Sequence, residues 1–491
     1  MLIPFAPYLP DLAAFNANAS FTAENVSPSS SGFMPFPALA TVTTALTARA
    51  QGAISVKGLI GAVGNFCGDA TKLYKLGSDG VTWNDVSRTV GGAYATPSDG
   101  WWDFSIFGDR VFATNNVDAV QVFQLGVDTN FSALAGTPPI SAFAGTVRDF
   151  AVLARQSTNW NRIRWSGIND VTTWVSSAAT MSDYQDFPDG GAIMGFVGGE
   201  FGLVFQEQAI RRMAYEGPPT IFRFDKIANT LGCRIERSIA AYQDLSFFLS
   251  NDGFYMIRGG SEFVPIGAEK VDRTFETVFN ASLAYRCSAA IDPIRKLYMF
   301  AYPSTNSSGN PDYMFVYHWP TGQFATIKQD IELIVTASTQ TGYTLDSLDA
   351  LSPSVDALSF SLDSRYYAGI GRLLLSGFYT DHKQGYFSGD NLAATIETGD
   401  AQLTPGRKSL LRSLRPMVEG SMVTPTVTVR SRNRLQDSYT DATPIAANAN
   451  GVCPVRVNAR YHRMKMTIPA SSSWNFARGV DDINFTATGT R

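Results

Sequence analysis

Asp244-Leu-Ser-Phe-Phe-Leu-Ser-Asn-Asp-Gly-Phe-Tyr-Met-Ile-Arg258 decides how this chain is read. Two aromatic and β-branched runs flank Asn251-Asp252-Gly253, whose residues tolerate the positive φ angles of a tight turn, so the stretch predicts a β-hairpin. It lies in a longer segment, Arg162 to Gly260, that carries another unit of the same kind. There Glu200-Phe-Gly-Leu-Val-Phe205 is a short apolar run, and Ala209 to Tyr215 is its candidate return strand.

Working outward, the pattern of apolar residue, short polar turn and apolar strand recurs at Phe107, Val147, Val197, Tyr242 and Ile291. The steps are 40, 50, 45 and 49 residues. An all-strand period of roughly 40 to 50 residues marks β-propeller blades. A large β-sandwich with regularly spaced strands is the alternative. Arg365 to Leu375 and Gly385 to Gly389 read as a further blade, and residues 340–365 as a loop or an outer strand pair. A helix is expected inside the propeller, over Ala268 to Ser282, where Val271, Phe275, Val278 and Phe279 share one face. Pro303 to Pro311 reads as a polar surface loop.

The termini differ from this body. Residues 1–40 contain Pro4, Pro7, Pro10, Pro28, Pro35 and Pro37, which impose an extended path. Ile3, Phe5, Tyr8 and Leu9 are too apolar for a solvated tail. We read an arm laid on its own body or on a neighbouring subunit, with a flexible leader as the alternative. Beyond about 400, Leu410, Leu414, Thr426 to Val429, Val455 to Val457 and Tyr461 to Ile468 alternate with period two, the basic residues on one face. The fold class is therefore all-β: an extended N-terminal arm (1–40), a β-propeller (41–400) and a C-terminal antiparallel β-sheet or sandwich-like domain (401–491).

Composition narrows the function. Of 491 residues, 45% are hydrophobic and 17% charged, enough to build a large core. The net charge of −4 argues against a dedicated nucleic-acid binder, which needs a basic face. Cys67, Cys233, Cys287 and Cys453 are far apart, as expected of reduced thiols in a chain folded in a cytosol. His318, His382 and His462 have no metal-ligand spacing, so no metal is expected. No apolar run is long enough to span a bilayer, and the N-terminus lacks a signal peptide's basic start.

Chemistry-bearing motifs are missing. There is no GxSxG, P-loop, HExxH or EF-hand pattern. Gly58, Gly61 and Gly64 have the wrong spacing for dinucleotide binding. Ser78-Asp-Gly-Val-Thr-Trp83 resembles the Asp-box hairpin of sialidases, a folding device without catalytic weight. Propellers can host glycosidases, which need paired carboxylates. The candidates are Asp183, Asp186 and Asp189, or Asp244 and Asp252, or Asp481 and Asp482, and turn roles suit several of them better. No catalytic, cofactor-binding or metal-binding residue is expected, and the chain is read as no enzyme. Basic residues gather C-terminally instead. With the arm they form the candidate interface: Phe5, Tyr8, Leu9, Arg407, Arg412, Arg415, Arg460 and Arg463. A solvated sheet face is the plainer account of any one of these arginines.

Val147-Arg-Asp-Phe150, Trp165-Ser-Gly167, Pro188-Asp-Gly-Gly-Ala-Ile-Met-Gly195, the Val204 to Gly217 stretch and Arg460 to Met466 together resemble the tail hub proteins of short-tailed bacteriophages. These are also called nozzle or packaged-DNA stabilisation proteins. The resemblance runs in order through most of the chain on short structural motifs. It implies a virion protein, assembled in the host cytoplasm, that forms a homo-oligomeric ring of six copies below the portal and adaptor. Such a ring extends the channel for packaged double-stranded DNA, retains the genome and anchors tail fibres, spikes or a plug. It implies no cofactor and no membrane insertion. Two other classes remain open at this point: a glycan-binding propeller or glycoside hydrolase, and an intracellular protein-interaction propeller.

Overall fold

The computed structural model describes residues 2–13, 15, 18–59, 61, 63–339, 352, 354, 373–421 and 423–489. Among these, seven four-stranded antiparallel units succeed one another, six as separate sheets and one, the sixth, as part of a larger sheet. The first runs from Gly52–Lys57 to Trp83–Asp85, the second from Asp103–Phe107 to Ser132–Ala133, and the third from Ser141–Val147 to Asp183–Asp186. The fourth runs from Ile193–Val197 to Ile221–Ala228, the fifth from Ala240–Tyr242 to Glu262–Pro265, and the sixth from Ser288–Asp292 to Gln323–Lys328. The seventh joins Leu333–Ser338, Leu373–Phe378 and Gln384–Asn391 to Pro37–Thr41 from near the N-terminus. Small sheets in this sequence make an all-β, β-propeller-like fold.

The five repeat positions fall at one structural place. Phe107, Val147, Val197, Tyr242 and Ile291 each end, or nearly end, the first strand of sheets two to six, just before the turn into the second strand. Left-handed backbone at Gly108 (φ 58°), Arg148 (φ 50°) and Gln243 (φ 55°) makes three of those turns. In the fifth sheet Ser250 pairs with Gly253 across the predicted turn, and Phe254 to Arg258 returns as expected. Second strands are buried on both faces, Leu297–Tyr302 along its whole length, because neighbouring sheets pack face to face. This is why apolar runs, rather than alternation, mark these strands.

The seven sheets close on themselves. The inner strand Leu333–Ser338 lies beside Gly52–Lys57 of the first sheet. Ser338 N donates to Ser55 Oγ (2.7 Å), and Asn65 Nδ2 donates to Ser338 O (2.9 Å). Pro37–Thr41 pairs with Gln384–Asn391, so a strand preceding the first sheet completes the last. The backbones approach closely there: a Cβ on Gly385 would stand 2.2 Å from Ala40 O.

A second body packs against the sixth sheet, and one sheet runs through both. Outside Gln323–Lys328 comes Ser20–Glu24, then Ala394–Thr398, Tyr461–Ile468 and Thr426–Arg432, and the short strands Thr440–Asp441 and Ile445–Ala446 pair with the last, giving ten strands in all. Facing it, Val26–Ser29, Gly32–Pro35, Ser473–Ala487, Ser409–Ser421 and Cys453–Ala459 form a six-stranded sheet, with Ile3–Pro4 paired to Ser473–Ala487. Thus the described residues between 3 and 35 lie on their own chain. Ile3, Phe5, Tyr8, Ala23, Val26 and Phe33 enter one core with Phe247, Phe275, Phe300, Met464 and Trp474. Strand pairing crosses both expected boundaries by a few residues, since Pro37–Thr41 joins the seventh sheet and Ala394–Thr398 the second body.

Two local expectations change. The helix is shorter than predicted: Asp272–Val278 is helical, Phe279 is extended, and a separate 3-10 turn covers Ala281–Arg286. Phe275 and Phe279 stack at 4.8 Å, so the apolar spacing is satisfied by a short helix plus its exit. The basic residues of the C-terminal strands do not share one wet face either. Arg432 and Arg463 are buried because carboxylates on and just after the neighbouring strand Ala394–Thr398, Glu397 and Asp400, neutralise them. The expected blade at Arg365 to Leu375 is described only from Leu373, where Leu373–Phe378 pairs in the seventh sheet. Most of residues 340–365 lie outside the described residues.

Candidate functional site

The sequence-derived interface residues separate into two groups. Phe5 is 4% and Tyr8 7% exposed, both inside the chain's own core, and Leu9 N donates to Ser20 O (3.0 Å). Arg463 is also internal, with Nη1 to Glu397 Oε1 at 3.2 Å and Nε to Asp400 Oδ1 at 3.1 Å. Arg432 shares Asp400, Arg430 shares Glu397, and Tyr439 lies beneath all three guanidinium groups, 4.5 to 5.0 Å from its ring centre. Arg460 is half-buried beside Tyr461. Arg407, Arg412 and Arg415 are exposed. Arg412 and Arg415 stand on the long strand Ser409–Ser421, and Arg415 Nε reaches Asp482 Oδ2 at 2.9 Å.

The carboxylate candidates are held apart or tied up. Asp186 is gripped by Arg162 (2.6 Å), which lowers its carboxyl below the usual range. Asp189 is bound by Lys226 (2.8 Å) and Arg211 and is likewise lowered. Asp244 and Asp252 are exposed at opposite ends of the six-residue strand Leu245–Ser250, which puts them about 20 Å apart. That separation is beyond any glycosidase geometry.

A site that sequence reasoning missed lies where the inner strands converge. A cavity of about 220 Å³ is lined by Gly52, Trp102, Asp103, Arg237, Ala290 and Leu333, from the first, second, sixth and seventh sheets and the segment before the fifth. It shares Trp101 and Arg237 with an adjoining cavity of about 420 Å³ bounded by Arg155, Arg234 and Tyr285. Arg237 Nη1 donates to Asp103 Oδ1 (3.3 Å), whose other oxygen accepts from Ala144 N (2.9 Å). Burial pushes the Asp103 carboxyl up, and Arg237 pulls it back. Arg155 pairs with Glu236, and Arg234 with Glu276. The Arg237 guanidinium lies 5.0 Å and that of Arg49 5.6 Å from the Trp101 ring centre.

The run Cys233-Arg-Ile-Glu-Arg237, with two arginines in five residues, is the one local hint of this cluster. The 3-10 turn Glu236–Ser238 then presents Glu236 and Arg237 at the axis. Among the described residues no three metal-ligating side chains group together.

No protein-family model matches the chain, and no curated protein matches it in sequence. Solved structures share parts of its shape. The extracellular domain of the putative one component system BT4673 from B. thetaiotaomicron is similar over 78% of this chain, with 11% identity and a TM-score of 0.41. This chain covers only 43% of that domain. BamB from Moraxella catarrhalis is similar over 74% of this chain and 93% of its own, with 10% identity and a TM-score of 0.36. Likeness at this level carries no functional assignment.

Proposed function

We propose that this chain is a structural subunit of the tail of a short-tailed bacteriophage. Six copies form the hub or nozzle ring below the portal and adaptor. The ring extends the DNA channel, retains the packaged genome and anchors fibres, spikes or a plug. The observation that carries the reading is the ten-stranded sheet that passes from the sixth propeller sheet through Ser20–Glu24 into the second body. A ring subunit must transmit load between neighbours without hinging, and backbone hydrogen bonds running through both bodies meet that need. The tail-hub resemblance along the sequence supports the same reading. Its Arg148-Asp149 motif forms the first turn of the third sheet, and Pro188-Asp-Gly190 leads into the fourth. The propeller bears a C-terminal sandwich and an N-terminal arm, and the exposed Arg407, Arg412 and Arg415 offer an acidic neighbour a docking face.

The test is the mass of the purified protein, alone and mixed with an adaptor ring. Growth from the 53.3 kDa monomer to a closed ring is the expected result. A monomer indifferent to every adaptor, or turnover of a polysaccharide, overturns the reading in favour of a glycan-active propeller.

A further inference from the structure

The axial cavity holds more cationic groups than the protein neutralises. Five arginines gather there. Arg155, Arg234 and Arg237 line it and pair with Glu236, Glu276 and Asp103. Arg49 and Arg286 stand one ring behind the wall, Arg49 against Trp101 at 5.6 Å and Arg286 against Tyr285 at 5.7 Å. Among the described residues neither forms an ion pair. The carboxylate acting on Arg49 is Glu332, which is 3% exposed, lies 2.8 Å from His382 Nδ1 and keeps its Oε2 buried without a partner. Burial, and after it the neighbouring Arg286, hold Arg49 down at about 10. Asp99 lies on the rim and is exposed.

Donors are left over as well as charge. Arg49 Nη2 donates to Ser98 O (2.8 Å), but its Nη1 is buried without a partner. Arg286 Nε and Nη1, Arg155 Nε and Arg237 Nε are buried without partners too. Buried charged donors are costly to leave unmade, and two like-charged guanidiniums side by side add repulsion. An anion in the cavity offers acceptors to the lining Arg155 and Arg237 and eases the repulsion between the arginines behind the wall. Arginine suits a tetrahedral oxyanion, because its planar fork donates in pairs to phosphate oxygens.

We propose that this axial cavity is a binding site for a small phosphate-bearing molecule. Arg155, Arg234 and Arg237 contact the phosphate, and Arg49 and Arg286 supply the uncompensated positive field. Trp101, Phe143, Met194 and Ile235 wall the space for the organic part. At about 420 Å³ the cavity falls in the size range of small-ligand sites and cannot admit a DNA duplex. The proposal is independent of the ring reading: a monomer that binds phosphate upholds one and not the other.

The test is calorimetric titration of the full chain with inorganic phosphate, ribose 5-phosphate and a short duplex DNA. Arg49→Gln and Arg286→Gln break no ion pair, and each is expected to weaken phosphate binding about tenfold. Arg456→Gln, exposed on the strand Cys453–Ala459 of the second body, is expected to leave it unchanged. Ribose 5-phosphate is expected to bind more tightly than phosphate alone. No saturable binding by the wild-type chain up to ~10 mM phosphate overturns the proposal. So does equal affinity in wild type, Arg49→Gln and Arg286→Gln. Binding of DNA alone, lost in Arg286→Gln, overturns the small-ligand assignment. If the variants fail to fold, the wild-type titrations decide by themselves.

Discussion

Asp103 and Arg237 meet across the axial cavity although 134 residues separate them. Asp103 opens the inner strand of the second sheet, and Arg237 sits in the turn before the fifth. Their contact therefore ties non-adjacent parts of the ring together. Each side chain is 20% exposed, so the pair is largely withdrawn from water. Arg237→Met leaves Asp103 charged, part-buried and short of a donor. The expected loss is about 2 kcal/mol of unfolding free energy in a denaturant titration. Adding Asp103→Asn should return at least half of it. A double variant as unstable as the additive sum would show that the two groups do not couple.

Closure of the ring by Pro37–Thr41 makes Gly385 sensitive. A Cβ there meets Ala40 O at 2.2 Å, a backbone atom that moves only with the whole strand. Gly385→Ala is expected to cost about 2–4 kcal/mol, which thermal or denaturant unfolding would register. A loss under about 0.5 kcal/mol would mean the closing strand is not held as described.

The arginines of the second body should divide by burial. Arg463→Met strips a cation from Glu397 and Asp400, which are 3% and 1% exposed, and is expected to destabilise by about 3–5 kcal/mol. Arg412→Met, on the exposed face, should stay within about 0.5 kcal/mol. If Arg412 contributes to assembly, its substitution changes ring formation on the adaptor while leaving the unfolding curve in place.

Asp272 carries a pH dependence. Burial raises its carboxyl to about 6, against a donated hydrogen bond from Phe254 N (3.2 Å) and with Asp11 and Glu276 adding repulsion. A raised carboxyl means that the folded chain binds the proton more tightly than the unfolded one. Its contribution is therefore most favourable below the unfolded value near 3.8 and declines as pH rises through about 6. Asp272→Asn keeps an acceptor for Phe254 N without the charge. After allowance for solvent screening it should stabilise by about 1–2 kcal/mol at pH 7 and by little at pH 4. Equal effects at both pH values would contradict this.

All four cysteines are buried and reduced. Burial pushes the Cys233 thiol up to about 12 and that of Cys453 to about 11, and raises Cys67 and Cys287 as well. The thiolate is the reactive form, so an aromatic disulfide reagent at pH 8 should label none of them until the chain unfolds. Prompt labelling of even one would place a thiol at the surface.

What the sequence determined by itself is local. Turn residues such as Asn251-Asp252-Gly253 and the polar steps after Phe107 and Val147 act through their own backbone angles. The apolar runs beside them reveal strands buried on both faces. These signals placed five of the seven sheets and the C-terminal strands within a few residues. The tertiary structure alone decided the rest, because each remaining feature joins residues far apart in the chain. Ser20–Glu24 reads as an arm until Gln323–Lys328 and Ala394–Thr398 flank it, and Pro37–Thr41 is a strand only because it pairs with the outer edge of Gln384–Asn391, whose other edge is taken by Leu373–Phe378. Arg432 and Arg463 alternate like surface residues, yet Asp400 draws them inside, since a buried charge is tolerated only beside its opposite. The axial arginine cluster is the extreme case. Apart from the nearby Arg234 and Arg237, the members Arg49, Arg155 and Arg286 share no spacing or motif, and only closure of the propeller-like ring brings all five into and around one cavity.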